Sequence, residues 1–264
     1  MKKILSLLIL SLFLLTGCGS KGSPVPQKDL LAVIHERGKI IAGTKFDSKP
    51  FGYLDKNEQL KGFDVDLMRE ITKRILGDVN DIEFKEVNAS NRILALSSES
   101  VDLVIATMTI NEQRATVVDF SNPYFMTGQV VMIPQNSNIK SVRDLNDKNV
   151  AVVLGTTAEK NIRFLAPQSM IKGYRSYNEA FSALRSGRAD ALTSDDSILY
   201  GIIMDNPQYK ILPDRYTKEY YGIAFRKDEA SDSLQNAVNK ALEDIKNDGT
   251  LMKLVKKWKL NEKI

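Results

Sequence analysis

Strand-length apolar runs that alternate with segments of helical period constrain this chain more than any other feature. Val104-Ile105-Ala106 and Val150-Ala151-Val152-Val153-Leu154 contain no polar break, and Ile40-Ile41-Ala42 is a shorter run of the same kind. Such runs suit parallel strands buried on both faces. Val65, Met68, Thr72, Ile75 and Leu76 recur at helical spacing, and Gly77 reads as a stop. Leu234, Val238, Leu242 and Ile245 mark a later amphipathic helix. Asp248-Gly249-Thr250 ends it, and Leu251, Leu254, Val255 and Trp258 mark the next. Strands alternating with helices predict an α/β architecture. At 264 residues the chain has room for one large domain or two small ones. With 43% apolar and 27% charged residues it reads as folded rather than disordered.

A short internal echo favours two similar lobes. Ala95-Leu96-x-Ser98-x3-Asp102 matches Ala183-Leu184-x-Ser186-x3-Asp190 without gaps. Each copy reads as a helix end, a polar turn and a strand start. Each strand then delivers polar residues at its carboxyl end, Thr107-x-Thr109 in one and Ser194-Asp195 in the other. Ligands of open α/β sheets bind beyond the carboxyl ends of strands. Two such edges facing each other make a cleft.

The amino terminus predicts the compartment. Lys2 and Lys3 precede Ile4 to Leu15, a run with ten apolar residues of twelve. A membrane span needs about 20 residues, so the run reads as a secretory signal over residues 1–17. Leu15-Thr16-Gly17-Cys18 resembles a bacterial lipobox. That resemblance implies cleavage before Cys18 and a lipid, palmitate included, on its thiol and new amine. Residues 18–27, rich in Gly, Ser and Pro, read as a flexible tether. The folded body then starts near residue 28, outside the cytoplasm. A lipid anchor holds it at the outer face of the cytoplasmic membrane, the periplasmic side where the cell has an outer membrane.

Counts of single residue types exclude several chemistries. One cysteine rules out an intramolecular disulfide, and one histidine rules out a Cys/His zinc cluster. No metal and no cofactor are expected. A Ser-His-Asp triad would have to use His35, on the first helix. Without residues 1–17 the chain carries thirty-five basic against thirty-three acidic residues, a balance that gives no case for nucleic-acid binding. Lys253, Lys256, Lys257 and Lys259 read as the solvated face of the last helix.

A few side chains at strand ends can carry recognition. Arg114 offers a planar fork that matches a carboxylate, and Thr109 offers a hydroxyl and an amide. Gly155-Thr156-Thr157 follows a strand and opens a helix, where free N–H groups favour an anion. Asp195 is an acceptor placed for a cation, although an Asp195-Asp196 pair also suits a helix N-cap. Together these groups suit a zwitterion, and an α-amino acid is the simplest one.

Several motifs then stand in order along the chain. They are Phe51-Gly52-Tyr53, Gly62-Phe63-Asp64-Val65-Asp66-Leu67, Asp102-Leu103-x3-Thr107-x-Thr109-x4-Arg114 and Asp119-Phe120-Ser121-x-Pro123-Tyr124. Gly155-Thr156-Thr157, Ala189-Asp190-Ala191-x3-Asp195 and Tyr221-Gly222-Ile223-Ala224 follow. The series resembles the family 3 extracellular solute-binding proteins, receptors of polar amino-acid ABC importers, over about residues 30–260. The resemblance implies a two-lobed periplasmic-binding-protein-like fold of type II that closes on its ligand. Lobe one would span 28–123 and 222–264, lobe two 129–216, with hinges at 124–128 and 217–221. Arg114 and the Thr109 amide would hold the α-carboxylate, helped by Thr156 and Thr157 at the helix start of the other lobe. Asp195, the Thr107 carbonyl and the Thr109 hydroxyl would hold the α-ammonium. Phe46 and Phe51 would wall the pocket, with core packing an equal reading for Phe51.

At the ligand's side-chain end, Lys45 stands where glutamine-preferring relatives commonly carry an aspartate. Val87-Asn88-Ala89-Ser90-Asn91-Arg92 resembles acidic-amino-acid receptors, in which an arginine at this position reaches the side-chain carboxylate. Tyr177 matches a contact position in the same relatives. Counted together, Lys45, Arg92, Arg114 and Asp195 carry +2, which favours glutamate or aspartate over glutamine, since an uncompensated buried charge is costly. The resemblance also implies a membrane ABC permease as partner, and the receptor is expected to be a monomer. Two other functions compete. A dehydratase-like enzyme would need a general acid or base in the cleft, for which His35 and Glu112 are poor candidates, so no enzyme is expected. An adhesin would need an exposed apolar or basic patch, and none is visible in the sequence.

Overall fold

The structure, a computed structural model, describes residues 28–260. The signal, Cys18 and the tether therefore lie outside the described residues. Two five-stranded sheets, flanked by helices, form two lobes. In the first sheet the strands run in the order Ile82–Glu86, Ile40–Thr44, Leu103–Val104, Ala224–Arg226 and Val118–Phe120. In the second the order is Met170–Tyr174, Asn149–Val153, Ala191–Asp195, Gln129–Pro134 and Tyr209–Ile211. The first three strands of each sheet are parallel, and the fourth is antiparallel to the third. Between the lobes, Phe125–Thr127 leads out and Glu219–Tyr221 leads back, paired antiparallel as a two-stranded sheet.

The apolar runs become buried strands, as their lack of polar breaks predicts. Ile40, Ala42, Leu103, Val104, Val150, Ala151 and Val152 are all fully buried. The helices Phe63–Leu76 and Asp232–Asn247 cover the first sheet, with Leu67, Met68, Ile71, Leu234, Val238 and Ile245 facing inward. Gly62 at the head of the first of these helices adopts φ 143°, and a Cβ there would lie 1.8 Å from the Phe51 carbonyl oxygen. That contact explains why the Gly62-Phe63-Asp64 turn needs glycine.

One run is shorter in the ladder than its sequence predicts. Val104-Ile105-Ala106 pairs as a strand only through Val104, although the Ile105 amide still reaches the Gly43 carbonyl. The chain then turns at Thr107, which adopts φ 45°. A β-branched residue at positive φ is strained, and here the turn carries Thr107 and Thr109 towards the other lobe.

The internal echo is structural. Asp102 and Ile41 exchange two hydrogen bonds, backbone N–H to carbonyl one way and backbone N–H to side-chain oxygen the other. Asp190 and Asn149 exchange the same two in the second lobe. The turn before each aspartate passes through positive φ, at Glu99 in one copy and Gly187 in the other. Among the described residues no helix is long and apolar enough to cross a membrane.

Candidate functional site

The polar ends of the strands converge where the lobes meet. Arg114, on the short helix Glu112–Ala115, donates from one Nη to the Thr109 carbonyl at 2.7 Å. Its other Nη donates to the Gly155 carbonyl of the second lobe at 3.0 Å. Burial lowers the Arg114 pKa, with Asp195 and Glu219 close enough to oppose that shift. The Thr109 amide makes no hydrogen bond among the described residues. It and the arginine fork can therefore serve an anion.

Asp195 ends the strand Ala191–Asp195 and precedes the helix Asp196–Ile203. It makes no N-cap hydrogen bond. Asp196 instead accepts from the Ser197 amide and the Thr127 hydroxyl and pairs with Arg215. The Asp195 carboxylate accepts from the Tyr221 hydroxyl, and burial, then the Glu219 charge, pushes its pKa up to about 6. A cation beside it would favour its charged form.

Lys45 and Arg92 form a second, cationic end. Lys45 is 3% exposed, and its Nζ donates to the Thr107 hydroxyl at 2.7 Å. Arg92 is 2% exposed and donates to the carbonyls of Ala106 at 2.7 Å and Thr107 at 3.5 Å. Its Nε has no partner among the described residues. No carboxylate lies within ion-pair distance of Lys45, Arg92 or Arg114 among the described residues. Burial and then the Arg92 charge lower the Lys45 pKa to about 8. Burial and then the Arg114 charge lower Arg92 to about 9. No carboxylate pairs directly with these cations among the described residues, and a ligand carboxylate could do so. Tyr177 closes this end from the second lobe, with its hydroxyl bonded to Ser194 at 2.7 Å and its amide donating to Asp47 at 3.0 Å.

Other candidates have different surroundings. The Thr156 hydroxyl donates to the Val153 carbonyl and accepts from the Glu159 amide, so it caps the helix Thr157–Leu165. Phe51 is fully buried in an aromatic cluster with Phe63, Phe125 and Tyr221, at centroid distances of 5.2–5.9 Å. It supports the Tyr221 ring that holds Asp195. Phe46, next to Lys45, is half-buried. His35 and Glu112 are exposed.

Sequence reasoning missed two buried acids. Glu219 accepts from Thr109 and Thr157 hydroxyls and from Gln129, at 2.6, 2.8 and 2.7 Å. Asp64 accepts from the Thr107 amide at 3.0 Å, and burial pushes its pKa up to about 7. Three cations thus face four carboxyl groups, Asp195, Glu219, Asp64 and the half-buried Asp47 beside Lys45. The count of +2 is corrected to between −1 and zero, depending on whether Asp64 is ionised. Glu219 beside Lys218 looks like a surface pair in sequence, while Asp64 lies within the Gly62–Leu67 motif, where its spacing gives it no separate role. Among the described residues no group of His, Cys, Asp and Glu could hold a metal ion.

Known proteins resemble this chain in sequence and in fold. A family model described as bacterial extracellular solute-binding proteins, family 3, matches residues 40–261. The ABC transporter glutamine-binding protein GlnH of Bacillus subtilis (strain 168) is 42% identical over 98% of this chain and 97% of its own. A glutamine-binding protein of Geobacillus stearothermophilus is 39% identical over 83% of this chain and 89% of its own. The crystal structure of a cysteine-binding protein from Campylobacter jejuni superposes with TM-score 0.84 at 30% identity, covering 89% of this chain and 96% of that one.

Proposed function

The chain belongs to the bacterial extracellular solute-binding proteins of family 3, and from that premise we propose that it is a lipid-anchored, monomeric receptor that delivers a polar amino acid to an ABC permease. Arg114, the Thr109 amide and the helix start at Thr156-Thr157 take the α-carboxylate. Asp195, the Thr107 carbonyl and the Thr109 hydroxyl take the α-ammonium. Residues 28–123 and 222–264 form one moving lobe, 129–216 the other, and 124–128 with 217–221 the hinge. Each lobe supplies part of the hydrogen-bond set, so only the closed state satisfies the ligand, and binding shifts the population towards closure. No step in this account needs a catalytic group.

At the side-chain end the reading is glutamate or aspartate. The observation that carries it is the buried pair Lys45 and Arg92, held on hydroxyl and carbonyl oxygens with no carboxylate at ion-pair distance among the described residues. A side-chain carboxylate is the anion that this pair lacks, and charge-assisted hydrogen bonds are the strong ones. A second reading, glutamine, is favoured by the binding named for the two relatives at 42% and 39% identity. Isothermal titration calorimetry with glutamate, aspartate and glutamine separates the two. Tighter binding of either acid supports the first, and tighter binding of glutamine refutes it.

A further inference from the structure

Glu219 lies in the returning strand of the two-stranded sheet that joins the lobes, is 8% exposed and gathers donors from both. Its Oε2 accepts from the Thr109 hydroxyl of the first lobe at 2.6 Å and the Thr157 hydroxyl of the second at 2.8 Å. Its Oε1 accepts from Gln129 Nε2 at 2.7 Å and from Asn161 Nδ2 at 3.4 Å. Gln129 Nε2 also donates to the Thr157 hydroxyl at 2.9 Å.

The direction of these bonds has a chemical result. A hydroxyl has one proton to give and two lone pairs. The Thr157 hydroxyl gives its proton to Glu219 and receives one from Gln129, so it has no proton left for a ligand carboxylate. The Thr109 hydroxyl gives its proton to the same carboxylate and keeps its lone pairs as acceptors. A cation is the partner those lone pairs suit.

We propose that Glu219 is a positioning residue that clasps the two lobes together and fixes the Thr109 hydroxyl as an acceptor for the ligand's ammonium group. The second half of the proposal rests on the amino-acid-receptor reading, and the first half does not. An amide at this position has one acceptor oxygen instead of two and turns an N–H₂ group towards existing donors. The clasp is then broken at constant side-chain size.

Glu219→Gln tests both halves in the full chain. Spin labels on Leu94→Cys and Phe164→Cys, exposed positions on opposite lobes, in a Cys18→Ser background, report the interlobe distance without ligand. The expected result is a short distance in the parent and a shift of the distribution to longer distances in E219Q. Calorimetry with L-glutamate and L-glutamine, using whichever binds the parent more tightly, should show at least a tenfold loss in E219Q. In a Thr109→Val background the same change should cost less than threefold, because residues acting through one bond are not additive. An unchanged distance overturns the clasp. A loss that is additive with T109V, or below threefold in the parent, overturns the positioning role. If neither amino acid binds the parent, the receptor reading fails while the distance measurement still decides the clasp. Should E219Q not fold, Gln129→Met, which removes a donor from both Glu219 and Thr157, is held to the same distance criterion.

Discussion

The ammonium of Lys45 lies 5.0 Å from the centre of the Tyr177 ring, which belongs to the opposite lobe. A cation over an aromatic face is attracted to it, so closure gives this buried lysine a partner other than the Thr107 hydroxyl. Lys45→Met keeps the length of the side chain and removes the charge. The expected outcome is at least a tenfold loss of glutamate affinity, about 1.4 kcal/mol, with glutamine changed less than threefold. Calorimetry on both ligands checks it, and an equal loss for the two places Lys45 away from the ligand's side chain.

Proton linkage offers an independent check. Lys45, lowered to about 8, is partly neutral at pH 8, and a carboxylate arriving beside it favours the charged form. Binding of glutamate at pH 8 should therefore take up protons. Asp195, raised to about 6, is partly protonated at pH 6, and a ligand ammonium favours its carboxylate, so binding there should release protons. Titrations repeated in buffers of different ionisation enthalpy read both signs. Glutamine should retain the release at pH 6 and lose the uptake at pH 8.

Arg114 joins three things through one planar group: the Thr109 carbonyl, the Gly155 carbonyl and the proposed α-carboxylate. A lysine is a point charge and cannot span them. Arg114→Lys is expected to weaken every amino-acid ligand about a hundredfold, near 2.7 kcal/mol. Equilibrium binding measurements check this, and near-parent affinity removes Arg114 from the site.

Gly201, in the helix Asp196–Ile203, faces the Lys49 backbone of the other lobe. A Cβ there would lie 2.2 Å from the Lys49 carbonyl oxygen. Gly201→Ala should raise intrinsic helix stability by about 1 kcal/mol yet hold the lobes apart. Lower ligand affinity without a lower melting temperature of the ligand-free protein is the expected combination. A drop in both would mean that the contact matters for folding rather than closure.

Asp64 makes stability depend on pH. Its pKa in the folded protein, raised from 3.8 to about 7 by burial, means that the folded state binds its proton more tightly than the unfolded state does. Its contribution therefore declines as pH rises from about 4 to 7 and is flat above that. Chemical denaturation of the parent and of Asp64→Asn should show a stability difference that changes across this window and not beyond it. Parallel pH profiles would contradict the burial argument.

The fold was readable from local signals because apolar runs and helical periods report burial, and burial follows the chain. Leu234, Val238, Leu242 and Ile245 face inward as their spacing requires. The single-residue polar positions were readable only in part. Arg114 and Asp195 follow strands, where an α/β sheet exposes its ligand edge. Glu219 lies on a strand whose partner, Phe125–Thr127, is more than ninety residues distant, and its donors come from three separate segments. No periodicity marks such a position. The charge count failed for the same reason, since Asp64 sits on a helix behind the turn at Thr107 and is tied to the site through the Thr107 amide.

Asp102 and Asp190 each tie the start of a third strand to the first residues of its neighbour, by the same pair of bonds. A slip of either strand along the other would break both bonds at once. Each wall of the cleft is thereby keyed in place at the end remote from the ligand, so that swapping residues at the recognition edge should leave the scaffold's alignment intact. The two walls can then be re-engineered one at a time.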